Sequence, residues 1–229
     1  IAPNWRKNWP LSKAWNVGIT HLRDRRCKYI LVCNDDVILS PLAIDNLVDF
    51  FENIATKDIL LASGRNIRGM YSDPYAALEY YPVQEEFDYP DHPDFSCFMV
   101  RENIMDFVGP FDENFIPAYF EDNDYHRRIN LLGYRGVNYG GAGFFHIGSV
   151  TQNLDPDNPT VPSSVFDGNR QYYISKWGGD PGRETFASPY GEGGSPTMWK
   201  RGARKNSTEE EVFDDPMSRV NFWISQNLK

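Results

Sequence analysis

A continuous apolar run, Tyr29-Ile30-Leu31-Val32-Cys33, stops abruptly at Asn34-Asp35-Asp36 and leaves this chain few folds to choose from. An unbroken run without alternation predicts a strand covered on both faces, as in a sheet flanked by helices. Helical periodicity brackets it. Before it, Ser12 is placed to cap a helix through Ala14, Trp15, Gly18, Ile19 and Leu22. After it, Ser40 caps and Pro41 opens a second helix, with Ile44, Leu47, Val48, Phe51 and Ile54 on its buried side. Ile59-Leu60-Leu61-Ala62-Ser63 is the next strand. Helix, strand, helix, strand predicts an α/β fold with a mostly parallel sheet flanked by helices. In such sheets ligands collect at the carboxyl ends of the strands, which gives the position of Asn34-Asp35-Asp36 a functional meaning.

Further along, the stretch from Gly64 to His92 is irregular and rich in Tyr, Pro and acids, and predicts a loop-rich insert walling a cleft. Phe95 to Val100 reads as another buried strand, followed by a short helix around Ile104 to Phe107 and a Gly109-Pro110 turn. That turn leads into Phe111-Asp112-Glu113-Asn114-Phe115-Ile116-Pro117-Ala118-Tyr119-Phe120-Glu121-Asp122-Asn123-Asp124. From Glu121 onward Tyr125, Ile129 and Leu132 recur at helical spacing, and Gly133 supplies a stop. Glu121, Asp122 and Asp124 therefore fall in a first helical turn, where the macrodipole favours the ionised form. Acids there are ordinarily capping residues; the second acidic cluster, at the end of a buried strand, is what favours a functional reading. Tyr134 to Tyr139 is strand-like, Gly140 to Gly143 reads as a flexible turn, and Phe144-Phe145-His146 follows.

The 229 residues suit one large domain with an appended tail, here a core over 1–150 and a C-terminal extension over 151–229. Within the extension a helix is expected over 167–177, an extended arm over 179–211 and a last short helix over 213–228. The arm would pack on the core or on a neighbouring subunit, compatible with a homo-oligomer. A net charge of −9 argues against nucleic acid as a partner. Cys27, Cys33 and Cys97 lack metal-ligand spacing; Cys33 and Cys97 read as small core residues, which suits a reducing, cytoplasmic setting. No apolar run reaches membrane-spanning length and no signal peptide is visible. The chain opens with Ile, so an upstream segment is expected.

Two acidic clusters at the mouth of a sheet suggest a hard divalent cation, Mg²⁺ or Mn²⁺, held by one or two carboxylates plus phosphate oxygens. His146 could add a nitrogen ligand, although a lone His is more often a satisfied structural residue.

Taken together these motifs resemble the GT-A-fold glycosyltransferases, closest to the family 2 type, over roughly the first two-thirds of the chain. Asn34-Asp35-Asp36 after a buried strand resembles the family's DxD element. The PFDENFIPAYFEDNDYHRR stretch resembles its acceptor-side motif, and Ser12 to Ile19 its A-x-N-x-G helix. The resemblance implies a Rossmann-like GT-A sheet and an inverting transferase that uses a nucleotide-diphosphate sugar and a hydroxyl acceptor such as a glycan. Residue by residue, it implies Asp36 as metal ligand with Asp35 beside it, and His146 as the late metal-binding His. Asn34 would lie near the donor ribose or sugar, Asp122 would be the general base, and Glu121 would orient the acceptor. Asp124, Arg127 and Arg128 would shape the helix start or meet the diphosphate. Asn34 departs from the family's first carboxylate, and the family's two N-terminal strands, with the nucleobase pocket, would precede Ile1.

Two other readings stay open: a non-catalytic, sugar-binding or assembly relative, and a metal-dependent phosphoryl-transfer enzyme built on the same acids. Tyrosines in the 71–95 insert, Trp177 and Trp199 are candidates to stack on sugar faces, although core or interface packing is the more common use of such residues.

Overall fold

The computed structural model describes residues 9–68, 86–89, 92–148 and 163–197. They belong to two compact units. One comprises 28–108 and 126–162; the other comprises 1–27, 109–125 and 163–229. The Tyr-rich positions 71–85, Trp199 and the helix expected over 213–228 lie outside the described residues. Among the described residues no helix is long and apolar enough to cross a membrane.

The first of these units is built on a six-stranded sheet. Its strands are β1 (Tyr29–Cys33), β2 (Val37–Leu39), β3 (Ile59–Asn66), β4 (Phe87–Asp88), β5 (Cys97–Arg101) and β6 (Arg135–His146). The order is β1-β5-β3-β6-β2, with β4 also on β6. Only β3 and β6 pair in parallel; β1·β5, β3·β5, β2·β6 and β4·β6 are antiparallel. The expectation of a mostly parallel sheet is thus corrected to a mixed α/β sheet. The reason is the placement of β5: it inserts between β1 and β3, antiparallel to both, so β1, β3 and β6 run the same way without all being neighbours. It follows that β1 is an edge strand, and its residues are mostly half-buried with Cys33 exposed, not covered on both faces.

Helix α2 (Ala43–Asp49) covers the sheet through Ala43 and Leu47 and runs into a π turn, Phe50–Ile54. The wider turn, closed by Ala55 N donating to Phe50 O at 2.7 Å, rotates the apolar stripe. Phe50 and Phe51 both enter the core, whereas Ile44 and Ile54, expected inside, are exposed. Ser40 does not cap this helix. Its hydroxyl accepts from Gly143 N at 3.2 Å and its own N–H donates to Gly143 O at 2.9 Å, tying it to β6. The glycine run in β6 is also not a flexible turn. While β3 advances from Gly64 to Arg65, β6 advances from Tyr139 to Gly143, so the strand continues through a bulge. A Cβ on Gly141 would collide with the Tyr139 ring, which is why a side chain is absent there.

The other unit holds α1 (Leu11–Asp24), the acidic motif and α5 (Ser163–Trp177); a short α3 (Ile104–Phe107) belongs to the sheet unit. Helix α4 (Glu121–Leu131) contributes its residues up to Tyr125 to this unit and the remainder to the sheet unit. Helix α1 starts at Leu11 without a side-chain cap; Leu11 N donates to Pro117 O at 2.8 Å, and Ser12, the expected cap, is buried within the first turn. The α1 face carries Trp15 and Ile19 inward, and Trp15 meets the Phe111 ring edge-on at 5.0 Å. Phe111 in turn stacks on Tyr125 of α4 at 3.7 Å. Helix α5 shares a compact unit with α1 and the acidic motif.

Candidate functional site

In the sheet unit, the chain leaves β1 into Asn34-Asp35-Asp36 and returns as β2, which pairs with the end of β6 through Val37 and His146. That pairing brings Asp36 and His146 together: His146 Nε2 lies 3.0 Å from Asp36 Oδ1, both side chains partly exposed. Ile147 N donates to Asp36 O at 2.9 Å and fixes the backbone beneath the pair. On the other side of the ring, Nδ1 lies 2.9 Å from Ser96 Oγ. Ser96 is held by its N–H donating to Asp94 Oδ1 at 2.8 Å, and Asp94 Oδ2 accepts from Asn66 Nδ2 at 3.1 Å. Asn34 is half-buried, with its N–H donating to Ser96 O at 2.9 Å, and Asp35 is exposed. All of these residues sit at the carboxyl ends of the three co-directional strands or at the start of β5 beside them.

The pair's chemistry can be tested against Mg²⁺ or Mn²⁺. Six ligands at about 2.1 Å place neighbouring donor atoms about 3.0 Å apart, and the Asp36–His146 spacing matches that edge. A hydroxyl can donate or accept, so Ser96 supports either imidazole tautomer. It can donate to Nδ1 while Nε2–H faces Asp36, or accept from Nδ1–H when Nε2 is a ligand. Among the described residues no group of three or more His, Cys, Asp or Glu side chains forms a metal cage. The pair would supply one carboxylate oxygen and one imidazole nitrogen, with water or phosphate oxygens in the other positions, a mixed set that suits Mn²⁺ better than the harder Mg²⁺. The donor set fits.

In the other unit, the start of α4 is shaped by strained backbone. Tyr119 and Phe120, with φ of 82° and 73°, are consecutive non-glycine residues in the left-handed region. Such conformations persist only where surroundings enforce them, and here Asn169 Nδ2 donates to Ala118 O at 2.7 Å while Phe120 packs on Phe166 and Tyr173. The kink delivers Glu121 into the interior, 4% exposed, with Oε2 buried and unmatched by any hydrogen bond. Burial raises its pKa well above the usual carboxylate range, and the neighbouring Asp122 and Asp124 raise it further. Backbone N–H groups at Glu121 and Tyr119 oppose this without reversing it. Asp122 remains half-buried, its Oδ1 accepting from Asn123 N at 2.8 Å.

The same motif carries a second carboxylate system that the sequence reading did not single out. Lys176 Nζ bridges Asp112 Oδ2 at 2.8 Å and Asp124 Oδ1 at 2.6 Å, with all three side chains fully buried. Asp112 also accepts from Tyr172 OH and from Asn114, and Asp124 accepts from Trp177 Nε1 at 2.8 Å. Asn16 of the A-x-N-x-G helix clamps the motif: its Nδ2 donates to Phe111 O at 2.9 Å and its Oδ1 accepts from Phe111 N at 2.7 Å. Trp177 is thus a buried partner of Asp124 and not a sugar-stacking surface. Lys176 could have been suspected only from its apolar neighbours in sequence; nothing in its spacing pairs it with Asp112.

Farther along α4, Arg127 is partly buried. Arg128 is fully buried and donates from Nη1 to Val108 O at 2.8 Å. A guanidinium with no exposed surface and a backbone carbonyl as partner anchors the helix, which corrects the expectation that Arg128 meets a diphosphate. A polar cavity of about 370 Å³ is lined by Tyr89, His126, Asn130, Tyr134 and Arg135, at the amino end of β6. His146 closes the other end of that strand, so this cavity is separate from the Asp36–His146 pair.

No family model matches the chain. Over 67 residues, 29% of its length, it is 39% identical to a galactofuranosyl glycosyltransferase of Leishmania donovani, and the match spans 15% of that protein.

Proposed function

We propose that the protein transfers a sugar from a nucleotide-diphosphate sugar to a hydroxyl acceptor, by direct displacement with inversion. The observation that carries this reading is the Asp36–His146 pair, 3.0 Å apart at the carboxyl rim of the sheet and buttressed by Ser96. The likeness to a galactofuranosyl glycosyltransferase supports glycosyl transfer as the class of reaction.

In this reading Asp36 and His146 would hold Mn²⁺ or Mg²⁺, which would supply positive charge against the departing diphosphate. Asn34 and Asp35, on the same turn, lie toward the donor, and Arg127 supplies cationic support. The acceptor oxygen attacks the anomeric carbon as the bond from that carbon to the diphosphate oxygen breaks, and the acceptor proton passes to Asp122. Glu121 suits a different task. Its raised pKa favours the protonated carboxyl, a form that can donate a hydrogen bond and orient the acceptor.

The experiment is thermal stability against UDP, GDP, dTDP and CMP, each with and without Mn²⁺, followed by turnover with the matching sugar nucleotides, galactofuranose donors included. A metal-dependent shift with one nucleotide that disappears in Asp36→Ala is the expected result. Absence of any shift together with no turnover of any sugar nucleotide would overturn the reading.

A further inference from the structure

Cys33 and Cys97 stand directly opposite each other on β1 and β5. The kind of pair they form follows from the hydrogen bonds around them. Glu102 N donates to Lys28 O and Asn34 N to Ser96 O, so Lys28/Glu102 and Asn34/Ser96 are hydrogen-bonded positions of this antiparallel ladder. Bonded and non-bonded pairs alternate, which places Cys33/Cys97 at a non-bonded position. Opposed Cα atoms there lie about 4.5 Å apart, with their side chains on one face and closer than at bonded positions. A disulfide requires Cα atoms about 4.4–6.8 Å apart, so the backbone already meets the requirement. Accessibility is split between the two thiols: Cys33 is exposed on the edge strand and Cys97 is buried.

We propose that Cys33 and Cys97 are a redox-active pair that closes into a cross-strand disulfide by exchange with a small disulfide such as oxidised glutathione, and reopens on reduction. The exposed Cys33 thiolate attacks one glutathione sulfur, the glutathione S–S bond breaks, and one glutathione thiolate leaves. Cys97 then loses its proton to solvent and attacks the Cys33 sulfur. The second glutathione leaves as thiolate and takes up a proton. Two protein thiols are oxidised and one glutathione disulfide is reduced to two thiols. Exposure sets this order: Cys33 is open to solvent, and the Cys97 thiol opposite it lowers its pKa, whereas the neighbouring Cys33 and burial raise that of Cys97. The bond would join the residue before Asn34 to the residue after Ser96, at the root of the turn that carries Asp36.

The test equilibrates the full chain in glutathione buffers of graded ratio, blocks free thiols with iodoacetamide, and maps cysteine peptides by mass spectrometry. The expected result is a Cys33–Cys97 linked peptide that grows with oxidised glutathione and disappears as reduced glutathione is restored, while Cys27 is alkylated throughout. Cys33→Ala, a change at an exposed position, should remove the linked peptide and leave Cys97 alkylatable only after unfolding. A glutathione adduct that persists on Cys33 without linkage overturns the proposal. So does a linkage through Cys27, or one that does not respond to the buffer ratio.

Discussion

Helix α4 opens with two buried carboxyls, Asp124 and Glu121, that the surrounding structure treats in opposite ways. Asp124 receives an ammonium and an indole N–H, and Asp112 beside it receives the same ammonium, a phenol and an asparagine. Glu121, one turn earlier, keeps Oε2 buried without a partner. Burying a charge is costly unless it is paired, and the Asp112–Lys176–Asp124 system meets that condition while Glu121 does not. The difference separates a fully paired carboxylate from a partly paired one within one acidic motif.

The comparison can be broken most forcefully at Lys176. Lys176→Met should leave two carboxylates buried without their cation and cost about 3–5 kcal/mol, read as a lower midpoint in urea unfolding. A loss below about 1 kcal/mol would mean that Asp112 and Asp124 are not held as charges, and the contrast with Glu121 would dissolve.

Asp122→Asn should leave the unfolding midpoint nearly unchanged and lower kcat by about 10²- to 10⁴-fold in a sugar-transfer assay, the usual contribution of a general base. Comparable activity in the variant would remove Asp122 from the mechanism. A smaller effect belongs to Ser96→Ala, which removes support from Nδ1 of His146. About 10- to 100-fold weaker Mn²⁺ binding is expected from titration calorimetry. Unchanged affinity would show that Ser96 does not position the imidazole.

The subtlest test concerns pH. The folded pKa of Glu121 is raised, so its contribution to stability is fully present below the ordinary glutamate range. It declines as pH climbs through that range toward the raised folded value, because the unfolded chain releases the proton first. Glu121→Gln cannot ionise and should flatten this part of the stability profile. Its Tm at neutral pH should rise modestly above that of the natural chain while transfer activity falls. Parallel pH profiles for the two proteins would show that Glu121 is not buried as a neutral acid.

Much of this was legible in the residues. The apolar runs announced the strands that begin near Tyr29, Ile59 and Cys97, because β-rich runs bounded by polar turns have few alternatives. The helices at Leu11, Ala43 and Glu121 followed from periodicity. The family resemblance, and no local pattern, implies Asp36 and His146 as metal ligands; the fold sets them 3.0 Å apart. At Ser40, Ser12 and the Gly140–Gly143 run the structure departs from local expectation for one shared reason. A hydroxyl or a glycine acts locally unless a distant strand claims it, and here β6, or burial within α1, did.

By itself, then, the sequence determined the local elements, the position of both acidic clusters and the mixture of helix and strand, since these depend on neighbours within a few residues. Tertiary structure alone decided that β5 divides β1 from β3, that Lys176 reaches across the chain to Asp112, and that Ser96 stands behind His146. Those choices depend on which distant groups compete for the same buried space and the same hydrogen bonds, and no local pattern encodes the outcome of that competition.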